Sequence, residues 1–183
     1  MNNLTHPISK AIAPIVLACC SHPQDCKIEE QGKRVIHNET WAFEIAITPH
    51  VADFAIICGR KGKIINALKH IVEVASDRSD IAATVVLLDG FVGRKEPMRT
   101  FVQNPEFDVN WFVAMVEDVL SVATGRRIRI EPERQNDKLN LYANTDASEA
   151  SVCKAVEAVA YTAAFAQGMI ISLRSVETAK NET

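Results

Sequence analysis

The sequence predicts an α+β protein built from two copies of one element order, and three observations carry that prediction. Apolar residues recur at helical spacing in some segments and alternate in others along the whole 183-residue chain. The order helix, strand, strand, helix, strand occurs twice, offset by about 100 residues. Between the copies lies a stretch with Gly93, Pro97, Asn104 and Pro105, whose residues favour loops. Hydrophobic residues make up 48% of the chain and charged ones 23%, enough apolar material for real cores, which excludes global disorder.

The first copy begins with Ile8, Ile12, Ile15, Val16 and Cys19 at helical spacing. Pro7 suits a helix start, and Pro14 is expected to kink the helix or restart it. His22-Pro23-Gln24-Asp25 breaks the pattern. Strand-like residues follow at 26–30 and 34–37 around Gly32, and Asn38-Glu39 turns the chain. Trp41, Phe43, Ile45 and Ile47 alternate with Ala42, Glu44 and Ala46, a half-buried strand. A short helix is predicted over 51–58 and a longer one over 63–76. The longer one buries Ile64, Ile65, Leu68, Ile71, Val72 and Ala75 and exposes Asn66, Lys69, His70 and Glu73. A β-rich run at 82–88 closes the copy at Asp89-Gly90.

The second copy restarts at Asp108 or Asn110, either of which can cap a helix burying Phe112, Met115, Val116, Val119 and Leu120. Gly125 ends that helix. Residues 127–130 are predicted as a strand, Gln135-Asn136-Asp137 as a turn, and Leu139, Leu141 and Ala143 as the partner strand. A helix from about Ser148 carries Val152, Val156, Val159, Ala160 and Ala163, and 169–173 is the final strand. The predicted organisation is a domain at 1–90, a linker at 91–107, a second domain at 108–176 and a loose tail at 177–183. The second copy lacks the short helix and the glycine-rich loop of the first. Residue identity between the copies is slight, so the duplication is legible at the level of elements.

The net charge of −3 argues against coating nucleic acid by bulk charge, so any such binding requires a local patch. Residues 1–95 hold eleven Lys and Arg against ten Asp and Glu, whereas residues 96–183 hold nine against thirteen. Five cysteines without a C-x-x-C pair point to a reducing, cytoplasmic setting rather than a disulfide framework. The polar opening from Met1 to Pro7 carries no secretory signal pattern. No apolar run reaches the roughly 18–20 residues that span a membrane.

The most informative segment is Ile56-Ile57-Cys58-Gly59-Arg60-Lys61-Gly62-Lys63-Ile64-Ile65-Asn66-Ala67-Leu68. Glycine has no Cβ, so another backbone can approach the main chain at Gly59 and Gly62. The loop opens a helix, whose first N–H groups favour a phosphate. Arg60, Lys61 and Lys63 put positive charge where that phosphate would lie.

In its element order and in this motif, the first copy resembles a type II KH domain, in particular the small single-domain bacterial KH proteins of the KhpA type. The family's motif is an aliphatic pair, then G-x-x-G, then Ile or Leu three and six places after the second glycine. Here Ile57-Cys58-Gly59-Arg60-Lys61-Gly62 is followed by Ile65 and Leu68. Cys58 stands where a second aliphatic is usual, and the stretch from Pro49 to Gly59 is longer than usual. The resemblance covers about residues 8–89, while the second copy resembles the family only in element order.

The resemblance implies a three-stranded sheet with helices packed on one face, in each of two tandem KH-like domains. It also implies a groove for about four unpaired nucleotides, gripped at the glycine loop, and no reaction chemistry. The expected partner is single-stranded RNA, without cofactor, and a homodimer or a KH-protein partner is a further expectation. Ile56, Ile57 and Ile65 form the groove floor or belong to ordinary core packing. Asn66 and Lys69 read a base edge or face solvent, and Lys33 and Arg34, between the first two strands, flank the groove. Arg126, Arg127 and Arg129, together with Arg134, extend the RNA path or pair with Glu131 and Glu133.

Other chemistries are weaker. Cys19, Cys20, His22 and Cys26 fall within eight residues, but no knuckle spacing supports zinc, so no metal is expected. No catalytic triad, H-E-x-x-H or Walker loop is recognisable, so no enzyme is expected. A protein–protein scaffold on the same fold and single-stranded DNA binding are the alternatives.

Overall fold

The computed structural model of the protein describes residues 4–36, 40–79, 81–89 and 107–176. Helix α1 spans Pro7–Cys19 and is capped by His6, whose Nδ1 accepts from the Ile8 amide at 3.3 Å. It runs through Pro14 without ending there. One 3-10 turn at Pro23–Asp25 leads into strand β1 (Lys27–Ile36), which pairs antiparallel with β2 (Thr40–Thr48). The register shifts between Gln31 and Arg34, where Gly32 takes φ +63°. The two strand-like pieces are therefore one bulged strand. Lys33 and Arg34 lie inside it, not between strands, and the placement of their side chains is outside what is described. Helix α2 (Val51–Cys58), a 3-10 turn (Arg60–Gly62) and helix α3 (Lys63–Asp77) then cross to β3 (Ile81–Leu87), which runs parallel to β2.

The second half repeats this topology. Helix α4 (Val109–Thr124) is capped by Asp108, which accepts from the Trp111 amide at 3.0 Å, and Gly125 closes it with φ +68°. Strand β4 spans Ile130–Gln135, later than the 127–130 read from the sequence. It turns through Asn136-Asp137 into β5 (Lys138–Ala143), and helix α5 (Ala150–Phe165) crosses to β6 (Ile170–Ser175). In both sheets the middle strand is antiparallel to the first and parallel to the third, with orders β1-β2-β3 and β4-β5-β6.

Each sheet turns one face inward. Phe43, Ile45 and Ile47 of β2 are buried while Glu44 is exposed, and Leu139, Leu141 and Ala143 of β5 are buried while Lys138 is exposed. Every residue expected on the inner face of α3 is buried. The helices of one half pack on those of the other: α1 meets α4 and α5, and α3 meets α4 and α5. The Cys19 thiol lies 3.6 Å from the Val159 carbonyl, and Arg78 donates to the Thr124 carbonyl. As a result the buried residues of both halves form one connected core, with a shared helical layer between two sheets. Complete burial of a side chain such as Ile45 or Leu68 contributes about 2 kcal/mol, so this shared layer holds the halves together. The tail at 177–183 lies outside the described residues, and so does the linker except Phe107, which is buried with its ring 5.1 Å from that of Phe112. No helix among the described residues is long and apolar enough to cross a membrane.

Candidate nucleic-acid interface

The glycine turn joins α2 to α3 and stands at the surface. Gly59 ends α2 with φ +72° and ψ +166°, and its amide donates to the Ala55 carbonyl at 2.9 Å. The Gly62 amide donates back to the Gly59 carbonyl at 3.0 Å, closing a four-residue bend. Gly62 itself is left-handed, at φ +76° and ψ +15°. So is Lys61, at φ +56° and ψ +32°. A lysine in that region costs about 1–2 kcal/mol, because its Cβ crowds the following carbonyl. Among the described residues only one other non-glycine has positive φ, Asn136 in the β4–β5 turn, where such a residue is well tolerated. Backbone strain held at an exposed cationic bend is the kind of outlier that accompanies function.

The bend is open. Arg60, Lys61 and Lys63 are exposed, and none pairs with an acidic group among the described residues. The Lys63 amide donates to the Arg60 carbonyl, but Gly62, the N-cap of α3, supplies no side chain to accept from the amides that follow. The other helix starts are closed: His6 caps α1, His50 caps α2, Asp108 caps α4, and Asp146 with Glu149 form a capping box ahead of α5. Positive partial charge at the start of α3 is therefore left for an external acceptor.

Around the bend the expected residues divide. Asn66 and Lys69 are exposed on successive turns of α3, and the Asn66 amide nitrogen is 3.4 Å from where a Gly62 Cβ would stand. Ile57 is 0% exposed, so the groove-floor role expected for it is corrected: its side chain is core. Its neighbour Ile56 is half-buried and is the member of the pair nearer the surface, while Ile65 is buried at the edge of the core. His70, expected on the open face, is half-buried beside Glu73 at 3.7 Å.

The arginine cluster also divides. Arg126 Nε and Nη2 grip Glu149 at 2.9 and 2.7 Å, and Nη2 reaches the Asn144 carbonyl at 2.7 Å. That bidentate bond holds the Glu149 carboxyl below its ordinary range and raises the Arg126 guanidinium. The RNA-extension role expected for Arg126 is corrected, since the Nε and Nη2 edge of its guanidinium is engaged by Glu149 and the Asn144 carbonyl. Arg127 and Arg129 are exposed but precede β4, and neither pairs with Glu131 or Glu133. Glu133 instead accepts from Tyr142 at 3.0 Å, which lowers the Glu133 carboxyl and raises the phenol.

Cys19, Cys20, His22 and Cys26 do not converge on one point. Burial pushes the Cys19 thiol up, whereas a thiol–thiol hydrogen bond raises Cys20 and lowers Cys26, both of which are free of disulfides. His22 instead joins His50 and Asp53, with candidate ligand atoms within 4.8 Å of one another, a grouping that no sequence spacing reveals. Asp53 is wholly buried and holds the α1–β1 turn. Its carboxylate accepts from the Ser21 amide at 2.9 Å, the Ser21 hydroxyl at 2.5 Å and the His22 amide at 2.9 Å.

No family model matches the chain, and no curated protein matches it. The reading of the bend therefore rests on its own geometry.

Proposed function

We propose that the protein is a non-catalytic single-stranded RNA-binding protein of two tandem KH-like repeats, one of which grips the RNA backbone at Gly59–Gly62. The observation that carries the reading is the α3 start: a helix N-terminus without a side-chain cap behind an exposed bend whose three cations have no acidic partner among the described residues. Phosphate is the anion such a site suits, because the glycines admit a close backbone and the cations neutralise it. The surrounding order, strand, strand, helix, bend, helix, strand, supports the same conclusion. The second repeat supplies a shared core and carries no equivalent bend.

Replacing Arg60 and Lys61 together by Asp is expected to abolish the gel-shift of a fluorescent oligouridylate while leaving the melting curve in place. Salt titration of the unmodified protein is expected to show affinity falling with a slope of about −0.7 per phosphate contacted. Undiminished binding by the double variant removes the site. An equal affinity for the matching deoxyribonucleotide moves the reading to single strands in general.

A further inference from the structure

We propose that the second repeat receives the strand as it leaves the glycine bend, with α5 offering Lys154 to its backbone and the Tyr161 ring to a base. The proposal rests on the RNA reading above and extends its surface onto the repeat that lacks a bend. A groove of about 710 Å³ lies between the start of α3 and α5, lined by Lys63, Ile64, Lys154, Glu157, Ala158, Tyr161 and Thr162. Lys63 follows Gly62 directly, so the groove begins where the bend ends. On α5 the residues 154, 157, 158 and 161 fall at i, i+3, i+4 and i+7, which is one helical face.

Tyr161 is 42% exposed although it is among the largest side chains of α5. One turn on, Phe165 stacks behind it, with ring centroids 6.0 Å apart and planes 10° from parallel. Two near-parallel exposed rings present a flat apolar surface on which a base can stack. Two lysines, one on each wall, set the sign of the groove. Its single acid, Glu157, is committed to the Leu173 amide at 3.1 Å. Cations beside an exposed aromatic ring are what an unpaired strand requires, because phosphates meet the former and any base stacks on the latter. The continuity with the bend and the charge of the walls favour RNA over a protein partner.

The test compares full-length protein and variants by fluorescence anisotropy on labelled oligouridylates of about 4 and about 10 nucleotides. Tyr161→Ala and Lys154→Ala are expected to bind the short oligonucleotide as the unmodified protein does. Both are expected to lose about fivefold or more on the long one. Photo-crosslinking the unmodified protein to a 4-thiouridine version of the long strand is expected to label the peptide carrying Tyr161, and this decides the matter if a variant fails to fold. Unchanged affinity for the long strand and no label on α5, with binding still lost in the Arg60→Asp, Lys61→Asp protein, overturn the α5 path alone. A change in self-association in place of RNA affinity assigns the face to protein contact and also overturns it. If the double Asp protein binds both strands normally, the reading of the bend falls, and this inference falls with it.

Discussion

Replacing Gly59 by alanine tests the geometry of the bend most directly. At φ +72° and ψ +166° the residue occupies a region essentially restricted to glycine, which costs any other residue about 1–3 kcal/mol. The added Cβ would stand 2.6 Å from Ile64 Cγ1 and 2.8 Å from the Ile64 amide nitrogen. The second contact is with backbone inside the first turn of α3, so it cannot be relieved by a rotamer change. Together the strain and the clash predict a loss of about 3 kcal/mol. For a chain of 183 residues, at about 2–4 °C per kcal/mol, the melting temperature falls by about 6–12 °C. Gly62→Ala is the control. Its φ of +76° and ψ of +15° are left-handed but accessible, and its Cβ would meet the exposed Asn66 side chain at 3.4 Å and Ile65 Cγ2 at 3.8 Å, with no backbone atom among them. It is expected to cost about 1–2 kcal/mol. Differential scanning calorimetry of the three proteins ranks them. A Gly59→Ala protein melting within 1–2 °C of the unmodified one, or below which Gly62→Ala falls, would refute the reasoning.

Lys61→Gly is expected to raise stability by about 0.5–1 kcal/mol, the left-handed strain relieved less the entropy of the added glycine, while weakening RNA binding. Calorimetry and anisotropy on one preparation check both, and a destabilised variant contradicts the strain. Arg126→Met leaves Glu149, 4% exposed, without its partner. Because the guanidinium is about a third exposed and water screens it, the loss is about 2 kcal/mol at pH 7 rather than that of a fully buried pair. Glu149 has a lowered carboxyl in the folded state, so its contribution is present above the unfolded value and is lost as pH falls through the folded one. Urea melts of the two proteins should therefore draw together as pH falls from the ordinary carboxylate range through the lowered folded value, and a gap independent of pH would show that packing, not charge, holds Glu149. Asp53→Asn can present only one acceptor oxygen to the Ser21 and His22 amides. One buried N–H then faces an NH₂ group, at a cost of about 2–3 kcal/mol in the same melts, against about 1 kcal/mol for Ser21→Ala. Equal losses would mean that the hydroxyl alone matters.

The elements legible in the sequence were those whose periodicity burial enforces. Helix α2 falls on its predicted span, and the inner face of α3 is buried residue for residue, because six apolar positions at helical spacing leave one way to bury them. Strand β4 lies later than the sequence predicts because it runs past the core. Only Ile130 is buried, and 131–135 are exposed, so no alternation marks them. Residues 127–129 form instead a connection held by the Ser121 hydroxyl on the Ile128 amide and the Asn144 side chain on the Arg129 amide, and Ile130 opens β4. Of the site, the glycines and cations were legible and the depth of Ile57 was not, since one buried and one half-buried isoleucine in sequence look alike. The His22–His50–Asp53 group and the Tyr161 groove depend on which helices meet. That is a property of the shared layer and not of any local spacing.

The two repeats make opposite use of one position in the fold. In each, a helix begins after the middle strand and crosses to the third: α3 in the first and α5 in the second. Ahead of α5 the chain places Asp146 and Glu149, whose carboxylates close on each other's backbone amides, and Arg126 neutralises them. That helix end thus carries its own anions and has no use for an external one. Ahead of α3 the same place is held by Gly62, with no side chain to offer, and by three cations without counter-ions among the described residues. A glycine N-cap forgoes only about a few tenths of a kcal/mol relative to Ser, Asp or Asn, and Lys61 adds left-handed strain on top of that loss. A repeat selected for stability alone would resemble the second; the first retains two local costs, both at the surface where a phosphate could relieve them. The core shared between the repeats is what allows it, because the packing of α3 against α4 and α5 fixes the helix start without help from a cap.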